Sequence, residues 1–418
     1  MIKHMEIKKM PVKFIRYLII GFVSIIAIGL FFSIPVGHTS GDFDVYYSAS
    51  RNYLAKAPVY IAKGGIEEFK YSPFFALAFS PLALVDKTLS MYLWGMINII
   101  LLYLMFYYFY KLKLIPAQPM GIFFLIFSLF ALTGRYIFSD IKIGQVNILL
   151  CFLLVLVMYF EINRKDFAAA TCLALSLMIK LFPLLFLAYF LLRRRFKLAG
   201  LTVLLSLVFL LIPAIYTGLA VNFQYLKDWF ALLKSNPVAV IYSVKNFSLL
   251  AFLSWVFVVK PSGLFVLNSR FITEPLPLRV YFMWGVICLV LFILFFRSSL
   301  LKKEKPREEE YLDYACLFTC VLLFNPLAYL NALVFLIVPY FFILRVLFFG
   351  QMARKWVVTI GGITLLCFIT TMAYNKCFFP DRQQFYRFLE FRLPLWTMLL
   401  VYLNLLLIKF ARPALSDK

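Results

Sequence analysis

The feature that most constrains this chain is a succession of apolar runs, most of them near the length that crosses a lipid bilayer. A transmembrane helix needs about 20 such residues, and these runs recur from Tyr17 to Phe410. Of the 418 residues, 64% are hydrophobic and 15% charged, against about half and about a quarter in soluble domains. The sequence therefore predicts an all-α polytopic membrane protein with about ten to twelve spans, residues 1–418 forming one domain.

The basic residues lie in short clusters between the apolar runs, such as Lys8-Lys9, Arg193-Arg194-Arg195 and Lys302-Lys303. A net charge of +23 would suggest nucleic acid binding in a soluble protein, but these clusters form no stripe with interleaved aromatic residues. They are typical of loops held at the cytoplasmic face by anionic lipids. We therefore expect membrane lipids and no nucleic acid as partners, and location in the cell inner (cytoplasmic) membrane.

The same rule orients the chain. The first run, from Tyr17 to Ile34, has a basic lead and no small-residue cleavage site, so it predicts an uncleaved anchor with a cytoplasmic N-terminus. Residues 35–88 and 218–277 then form two large outer regions. The chemistry is therefore expected on the outer face.

The run 167–192 does not fit a single span, because both of its ends are basic and both should stay inside. Lys180 and Pro183 fall near its middle. This pattern predicts two short helices that meet near Lys180, since broken helices at membrane depth are tolerated where they line a cavity.

The sharpest polar segment is Gly41-Asp42-Phe43-Asp44-Val45-Tyr46-Tyr47, which follows the first span. Its two carboxylates could supply a general base for a sugar hydroxyl. Equally, Asp42 could be the N-cap of a short interfacial helix through Tyr53, with Asp44 favouring the positive end of the helix dipole. Asp-x-Asp pairs also hold a divalent metal in some sugar-transferring enzymes, although we expect no cofactor and no metal site here. The residues alone leave both interpretations open.

Several segments occur in the order and spacing of a known family. The first outer loop carries Asp42-Phe43-x-Val45-Tyr46-Tyr47-x-Ala49, then Leu54, Pro58 and Tyr60, then Phe69-x-Tyr71-x-Pro73-x-Phe75-Ala76-Leu77 and Pro81-Leu82-Ala83. After it come Gly144-Gln145-x-Asn147, Ile179-Lys180-x-x-Pro183 with Arg193 to Arg195, and Asn246-x-Ser248-Leu249. Over about the first two thirds of the chain, these segments resemble glycosyltransferase family 87, which contains GT-C mannosyltransferases that use polyprenyl-phosphate sugars.

The last third departs from that resemblance. At this point better-studied members of the family carry a pattern similar to Ser-Pro-x-x-Trp-x-His, and the present chain has Asn325-Pro326-Leu327-Ala328-Tyr329-Leu330-Asn331. Tyr329 and Asn331 thus replace an aromatic residue and a histidine. The departure bears on the choice of sugar and acceptor and does not touch Asp42.

The resemblance implies a GT-C type bundle with interfacial helices in the first outer loop, and it assigns a role to Asp42. In such enzymes the matching aspartate is the catalytic base. It takes the proton of an acceptor hydroxyl, which attacks the anomeric carbon as the lipid phosphate departs with inversion. The donor is then a polyprenyl-phosphate sugar, mannose by default, and the acceptor a lipid or a glycan.

Substrate-binding residues are expected around this base. The leaving phosphate requires positive charge or a metal where its own charge develops, and the candidates are Lys180, Arg135, Lys142, Lys70 and Arg51. Lys180 stands out because a charge within an apolar run is costly, unless it snorkels to the inner face; the other four are better explained as ordinary interface residues. Asp44, Gln145, Asn147, Tyr46, Tyr47 and Tyr71 complete the predicted site. For Gln145 and Asn147 the alternative is helix capping, and for the tyrosines it is an ordinary place at the membrane interface.

Two other classes of function are weighed against a transferase. A lipid or lipid-linked sugar transporter would also use broken helices, and an envelope glycan polymerase or ligase shares the polytopic plan. The sequence contains no Gly-rich nucleotide-binding motif, which suits a donor dissolved in the membrane. The position of Asp42 directly after the first span favours the transferase.

Overall fold

The computed structural model describes residues 12–34, 41–60, 68–115, 118–234, 238–259, 276–300, 302, 305–374, 379, 381–411 and 414–415. The predicted cytoplasmic N-terminus and parts of both outer regions (35–40, 61–67, 235–237 and 260–275) lie outside these residues. Within them the chain is helical apart from short loops and two paired two-residue strands, β1 (Gly350–Gln351) and β2 (Ala414–Leu415).

The α-helices in chain order are α1 (Val12–Phe32), α2 (Gly41–Leu54), α3 (Pro73–Ala83), α4 (Lys87–Lys111), α5 (Pro119–Ile143), α6 (Asn147–Ile162), α7 (Asp166–Ile179), α8 (Leu184–Leu192), α9 (Phe196–Leu211), α10 (Ala214–Thr217), α11 (Leu219–Lys234), α12 (Val238–Tyr242), α13 (Leu249–Ser254), α14 (Leu278–Leu300), α15 (Arg307–Leu323), α16 (Ile337–Phe349), α17 (Arg354–Ala373), α18 (Arg382–Leu389) and α19 (Leu393–Ala411). A π-helical turn (Trp255–Val259) follows α13, and a 3₁₀ helix (Leu330–Leu336) leads into α16.

Seven segments of the described chain are long and apolar enough to cross a membrane. They are α4, α5, Phe196–Thr217, α14, Leu330–Phe349, α17 and α19. Shorter apolar helices accompany them, including most of α1 and all of α3, α6 and α7. The protein is therefore an all-α polytopic membrane protein, as predicted. Whether the spans number ten to twelve depends on which shorter helices cross, so that number stays a prediction.

The interior of the bundle is built by helices that are apolar on every side, because such helices are stable only when neighbours surround them. Leu150, Leu154 and Val157 of α6 are fully buried. So are the middle of α15 and nearly all of the Leu330–Phe349 segment. In contrast, most apolar side chains of α9 and α14 are at least partly exposed, as expected for helices that face lipid.

The predicted interruption of the run 167–192 is confirmed. Helix α7 ends at Ile179, Lys180 is extended (φ −144°, ψ 150°), and α8 begins at Leu184 after Pro183. Proline has no backbone N–H and disfavours helical geometry in the residue before it, so the helix cannot run through this point. The break leaves carbonyl groups at the end of α7 without helical partners. One of them, that of Met178, accepts hydrogen bonds from the hydroxyl of Ser72 (2.6 Å) and from its backbone N–H (3.3 Å).

Most ion pairs of the described residues lie at one end of the bundle, where α6, α8 and α16 end and α7 and α15 begin. They are Arg195 with Glu161 and Asp166, Arg345 with Glu308, Lys302 with Glu309, and Lys305 with Asp313. The described basic residues Arg195, Lys302, Lys305 and Arg345 thus lie at a single end of the bundle. We call it the basic end.

Candidate active site

At the opposite end of the bundle, four segments that are distant in sequence converge. These are the start of α2, the loop before α3, the turn between α5 and α6, and the break between α7 and α8. They bring together six of the predicted site residues, which we call the active-site cluster: Asp42, Tyr46, Tyr71, Gln145, Asn147 and Lys180.

Asp42 lies in the first turn of α2 and is partly exposed. The predicted short helix is confirmed, but it begins at Gly41, so Asp42 is inside the first turn and is not the N-cap. The positive end of the helix dipole favours a carboxylate at this place. Asp42 is close enough to Tyr46, one turn later, and to Lys180 to interact electrostatically with both.

Tyr46 connects α2 to the loop before α3 and to the α5–α6 turn. Its hydroxyl donates to Oε1 of Gln145 (3.3 Å) and lies 2.8 Å from the hydroxyl of Tyr71. A tyrosine has a single proton to donate, so Tyr46 accepts from Tyr71 while it donates to Gln145. Burial raises the pKa of Tyr46 well above its usual value, and the neighbouring Tyr71 and Asp42 raise it further. Tyr46 therefore stays a neutral hydrogen-bonding group in the cluster.

The turn between α5 and α6 is shaped by Gly144, which ends α5 in the left-handed region (φ 67°). A Cβ atom at this position would stand 2.6 Å from Cβ of Phe43 in α2. The Gly144 carbonyl accepts from Nε1 of Trp94 (2.9 Å) in α4. Glycine thus allows α2 to lie directly on the turn that carries Gln145 and Asn147.

Gly144→Ala is accordingly expected to lower the free energy of unfolding by about 1–3 kcal/mol, from the strained φ and the contact with Phe43. The thermal unfolding midpoint in detergent would report the loss. Gly285→Ala is the matched control, because Gly285 lies within α14 with no other atom within 4 Å of the added Cβ. Equal midpoints for the two variants would contradict this account of the turn.

Lys180 is the cation of the cluster. Its Nζ donates to Oδ1 of Asn147 (2.7 Å) and makes a longer contact with Oε1 of Gln145 (3.5 Å). It also lies 6.0 Å from the ring centroid of Tyr71. These contacts hold the ammonium group at the Asp42 end, so the alternative in which Lys180 snorkels to the other face is wrong. The helix break presents a positive charge beside a carboxylate.

Helix capping is also the wrong explanation for Gln145 and Asn147. No side chain caps α6 from its N-cap position, Val146. The N–H of Ile148 in the first turn instead donates to Oδ2 of Asp140 (3.2 Å), and Nδ2 of Asn147 donates to Oδ1 of the same carboxylate (2.8 Å). Asp140 was not among the predicted site residues, because Arg135, Ser139 and Lys142 surround it in the sequence and give that stretch the polar character of a loop.

Three predicted residues of α2 lie outside this cluster. Asp44 is buried, and its carboxylate lies 2.9 Å from Nζ of Lys87. The Tyr47 hydroxyl donates to the carbonyl of Val85 (2.9 Å). Arg51 is exposed, with its guanidinium 5.9 Å from the Tyr47 ring. These contacts attach α2 to the start of α4, and the predicted binding roles of the three residues stay predictions.

The three remaining basic candidates are also separate from the cluster. Arg135 donates to the carbonyl of Thr371 (3.1 Å) and lies over the ring of Tyr374 (4.8 Å). Lys142 is exposed at the end of α5. Lys70 is partly exposed, and its carbonyl accepts from Nε1 of Trp229 (3.1 Å). Among the five basic candidates, Lys180 has the contacts that place it with Asp42.

The Asn246 segment and the segment that departs from the family pattern are joined in the structure. The Asn246 amide donates to the carbonyl of Pro326 (3.0 Å) and accepts from the N–H of Ala328 (3.0 Å). The Ser248 hydroxyl donates to the same Pro326 carbonyl (2.7 Å). Asn331, which follows in the 3₁₀ helix, is buried. The two segments therefore form one unit.

Comparison with known proteins shows the family of the chain. The model of glycosyltransferase family 87 matches residues 69–326, which is more than half of the 418-residue chain. Tyr71, Asp140, Gln145, Asn147 and Lys180 lie within the matched range, whereas Asp42 precedes it. No curated protein matches the chain. The match shows that this multi-pass membrane protein, which carries a carboxylate and an ammonium group at one end of its bundle, belongs to glycosyltransferase family 87 and is a membrane glycosyltransferase with a sugar donor and an acceptor as substrates.

Proposed function

We propose that the protein transfers a hexose, mannose in the first instance, from a polyprenyl-phosphate donor to a hydroxyl group of a lipid or glycan acceptor. The observation that carries this proposal is that the active-site cluster holds both Asp42 and Lys180, close enough to interact electrostatically. One residue can accept a proton and the other can stabilise a developing negative charge, which are the two demands of glycosyl transfer from a phosphate.

The reaction follows from these two groups. The acceptor oxygen forms a bond to the anomeric carbon while the bond from that carbon to the phosphate oxygen breaks. Asp42 takes the hydroxyl proton, and Lys180 stabilises the charge that appears on the lipid phosphate. Attack on the face opposite the leaving group inverts the anomeric configuration. Gln145, Asn147 and the Tyr46 and Tyr71 hydroxyls are the hydrogen-bonding groups nearest to the sugar in this arrangement.

A lipid-linked donor is supported by an apolar cavity of about 250 Å³ between α1, α4 and α5, lined by residues such as Leu30, Leu102, Leu129 and Ile137. Along α5 the lining residues form one stripe, and Asp140 lies three residues beyond Ile137 on the same face. The stripe that lines the cavity thus continues along α5 towards the α5–α6 turn. The cavity suits an isoprenoid chain whose phosphate lies near Lys180.

The direction of the site in the membrane follows from the basic end. Lys and Arg are enriched in short loops on the cytoplasmic side, and the ion-paired basic clusters lie opposite the active-site cluster. We therefore place Asp42 at the outer face of the cytoplasmic membrane. This supports a donor that reaches the enzyme through the bilayer.

The test is transfer by purified protein in liposomes made from extracted membrane lipids. Labelled polyprenyl-phosphate hexoses should give a new labelled product, whereas nucleotide-linked hexoses should give none. Donors with a long isoprenoid chain should have a lower KM than donors with two isoprene units, and a chelator should leave the rate unchanged. Movement of intact donor across the bilayer with no transfer from any lipid-phosphate sugar would overturn the proposal in favour of a transporter.

A further inference from the structure

Asp140 is a buried carboxylate near the C-terminal end of α5, with no exposed surface. A charge in such a place is costly and needs compensating hydrogen bonds. Asn147 and Ile148 supply them by donating to its two carboxylate oxygens. The N–H of Gln145 in addition donates to the backbone carbonyl of Asp140 (3.0 Å). Asp140 thus holds the whole turn on which Gln145 and Asn147 are presented.

The orientation of the Asn147 amide follows from this contact. A carboxylate only accepts hydrogen bonds, so the NH₂ group of Asn147 must face Asp140. Its oxygen is thereby turned to the other side, where it accepts from Nζ of Lys180 at 2.7 Å. The negative charge of Asp140 and the positive charge of Lys180 are linked through one neutral amide.

An ammonium group has three donors. In the structure, the contacts of Lys180 with the described residues of the α5–α6 turn are to neutral amide oxygens, those of Asn147 and Gln145. The ammonium group is thereby held in one orientation, from which it can still donate to an anion on the side of Asp42.

Building on the proposed function, we infer that Asp140 is a positioning residue, which orients the Asn147 amide so that Lys180 is aimed at the leaving phosphate of the donor. Asp140 itself touches neither substrate nor reacting atoms. Its role is separable from helix capping, because capping requires only the bond to Ile148 and positioning requires the bond to Asn147.

A swap of the two side chains tests the inference. In Asp140→Asn, the single amide oxygen cannot serve both Asn147 and Ile148, so kcat for transfer from a polyprenyl-phosphate hexose should fall about 10- to 100-fold. Asn147→Asp should lower kcat by a similar factor, because two carboxylates then face each other.

The double variant Asp140→Asn/Asn147→Asp restores every bond with the two groups exchanged. The new amide at position 140 donates to the new carboxylate at position 147 and accepts from the N–H of Ile148. The carboxylate at position 147 in turn accepts from Lys180. We expect kcat of the double variant to recover at least tenfold over either single variant.

Binding of polyprenyl phosphate, measured with the same proteins in nanodiscs, separates the possible failures. Weaker binding in both single variants at an unchanged unfolding midpoint, with recovery in the double variant, would support the inference. Wild-type activity and lipid-phosphate binding in Asp140→Asn would overturn it while leaving the proposed function intact. A folded double variant no better than the single variants would also overturn it. Wild-type protein that neither binds the lipid phosphate nor transfers from it would overturn the proposed function itself.

Discussion

Asp42→Asn is expected to lower kcat about 10²- to 10⁴-fold, the usual contribution of a general base. Asparagine has nearly the same size and keeps one oxygen, but it cannot take up the acceptor proton. Asp42 is partly exposed in the first turn of α2, so the fold should tolerate the change. The measurement is single-turnover transfer from a labelled polyprenyl-phosphate hexose. Wild type and variant are compared at equal concentrations of folded protein, determined from the amplitude of the unfolding transition.

Asp44→Asn is the matched control, since Asp44 belongs to the same turn of the same helix but lies against Lys87. Its effect should appear in the unfolding midpoint more than in kcat. A variant Asp42→Asn with wild-type turnover would refute the assignment of the base. Loss of turnover in Asp44→Asn alone would move the assignment to Asp44.

Lys180→Met is the second change with a large expected effect, a decrease of about 10²- to 10³-fold in kcat. This is the range found when a single group that stabilises transition-state charge is removed. Methionine keeps the length of the side chain but carries no charge to meet the departing phosphate. Lys180→Arg should recover part of the activity, because arginine keeps the charge but places its donors differently from an ammonium group.

Lys142→Met serves as the control for Lys180→Met. Lys142 is an exposed lysine two residues after Asp140, and side chains two apart on a helix point in different directions. Its loss should change kcat by less than about twofold, as expected for a solvated charge. If Lys142→Met or Arg135→Met lost the activity and Lys180→Met kept it, the leaving phosphate would lie elsewhere.

The helical plan and the break at Lys180 could be predicted because they depend on local properties. A run of apolar residues long enough to cross a bilayer forms few structures other than a transmembrane helix. A proline near a lysine in such a run interrupts the helix for steric reasons. The site was predictable only in part, because its geometry depends on which faces of distant helices meet. The sequence singled out Gln145 and Asn147 but did not reveal their contacts, since Asp140 provides the cap that the sequence suggested they would supply.

For the same reason, the sequence could not show that Lys180, and not the other basic candidates, has its side chain in the active-site cluster. Arg135 and Lys142 lie on the same helix as Asp140, but their side chains point away from the cluster to Thr371 and to the surface. Hydropathy gives the length of a helix without fixing which face meets a particular neighbour. The sugar and the acceptor could not be read from the sequence. The segment that departs from the family pattern near Asn331 is joined, through Pro326 and Ala328, to the Asn246 segment, which fits the pattern.

The active-site cluster also has a consequence for biosynthesis. All of its residues, from Asp42 to Lys180, belong to the first half of a 418-residue chain. Proteins made on the ribosome fold from the N-terminus onwards, so every polar group of the reaction centre is synthesised while more than half of the polypeptide is still to come. The chain after Lys180 then encloses a set of groups that is already present. The nascent chain therefore carries these polar groups before helices α9 to α19 are inserted.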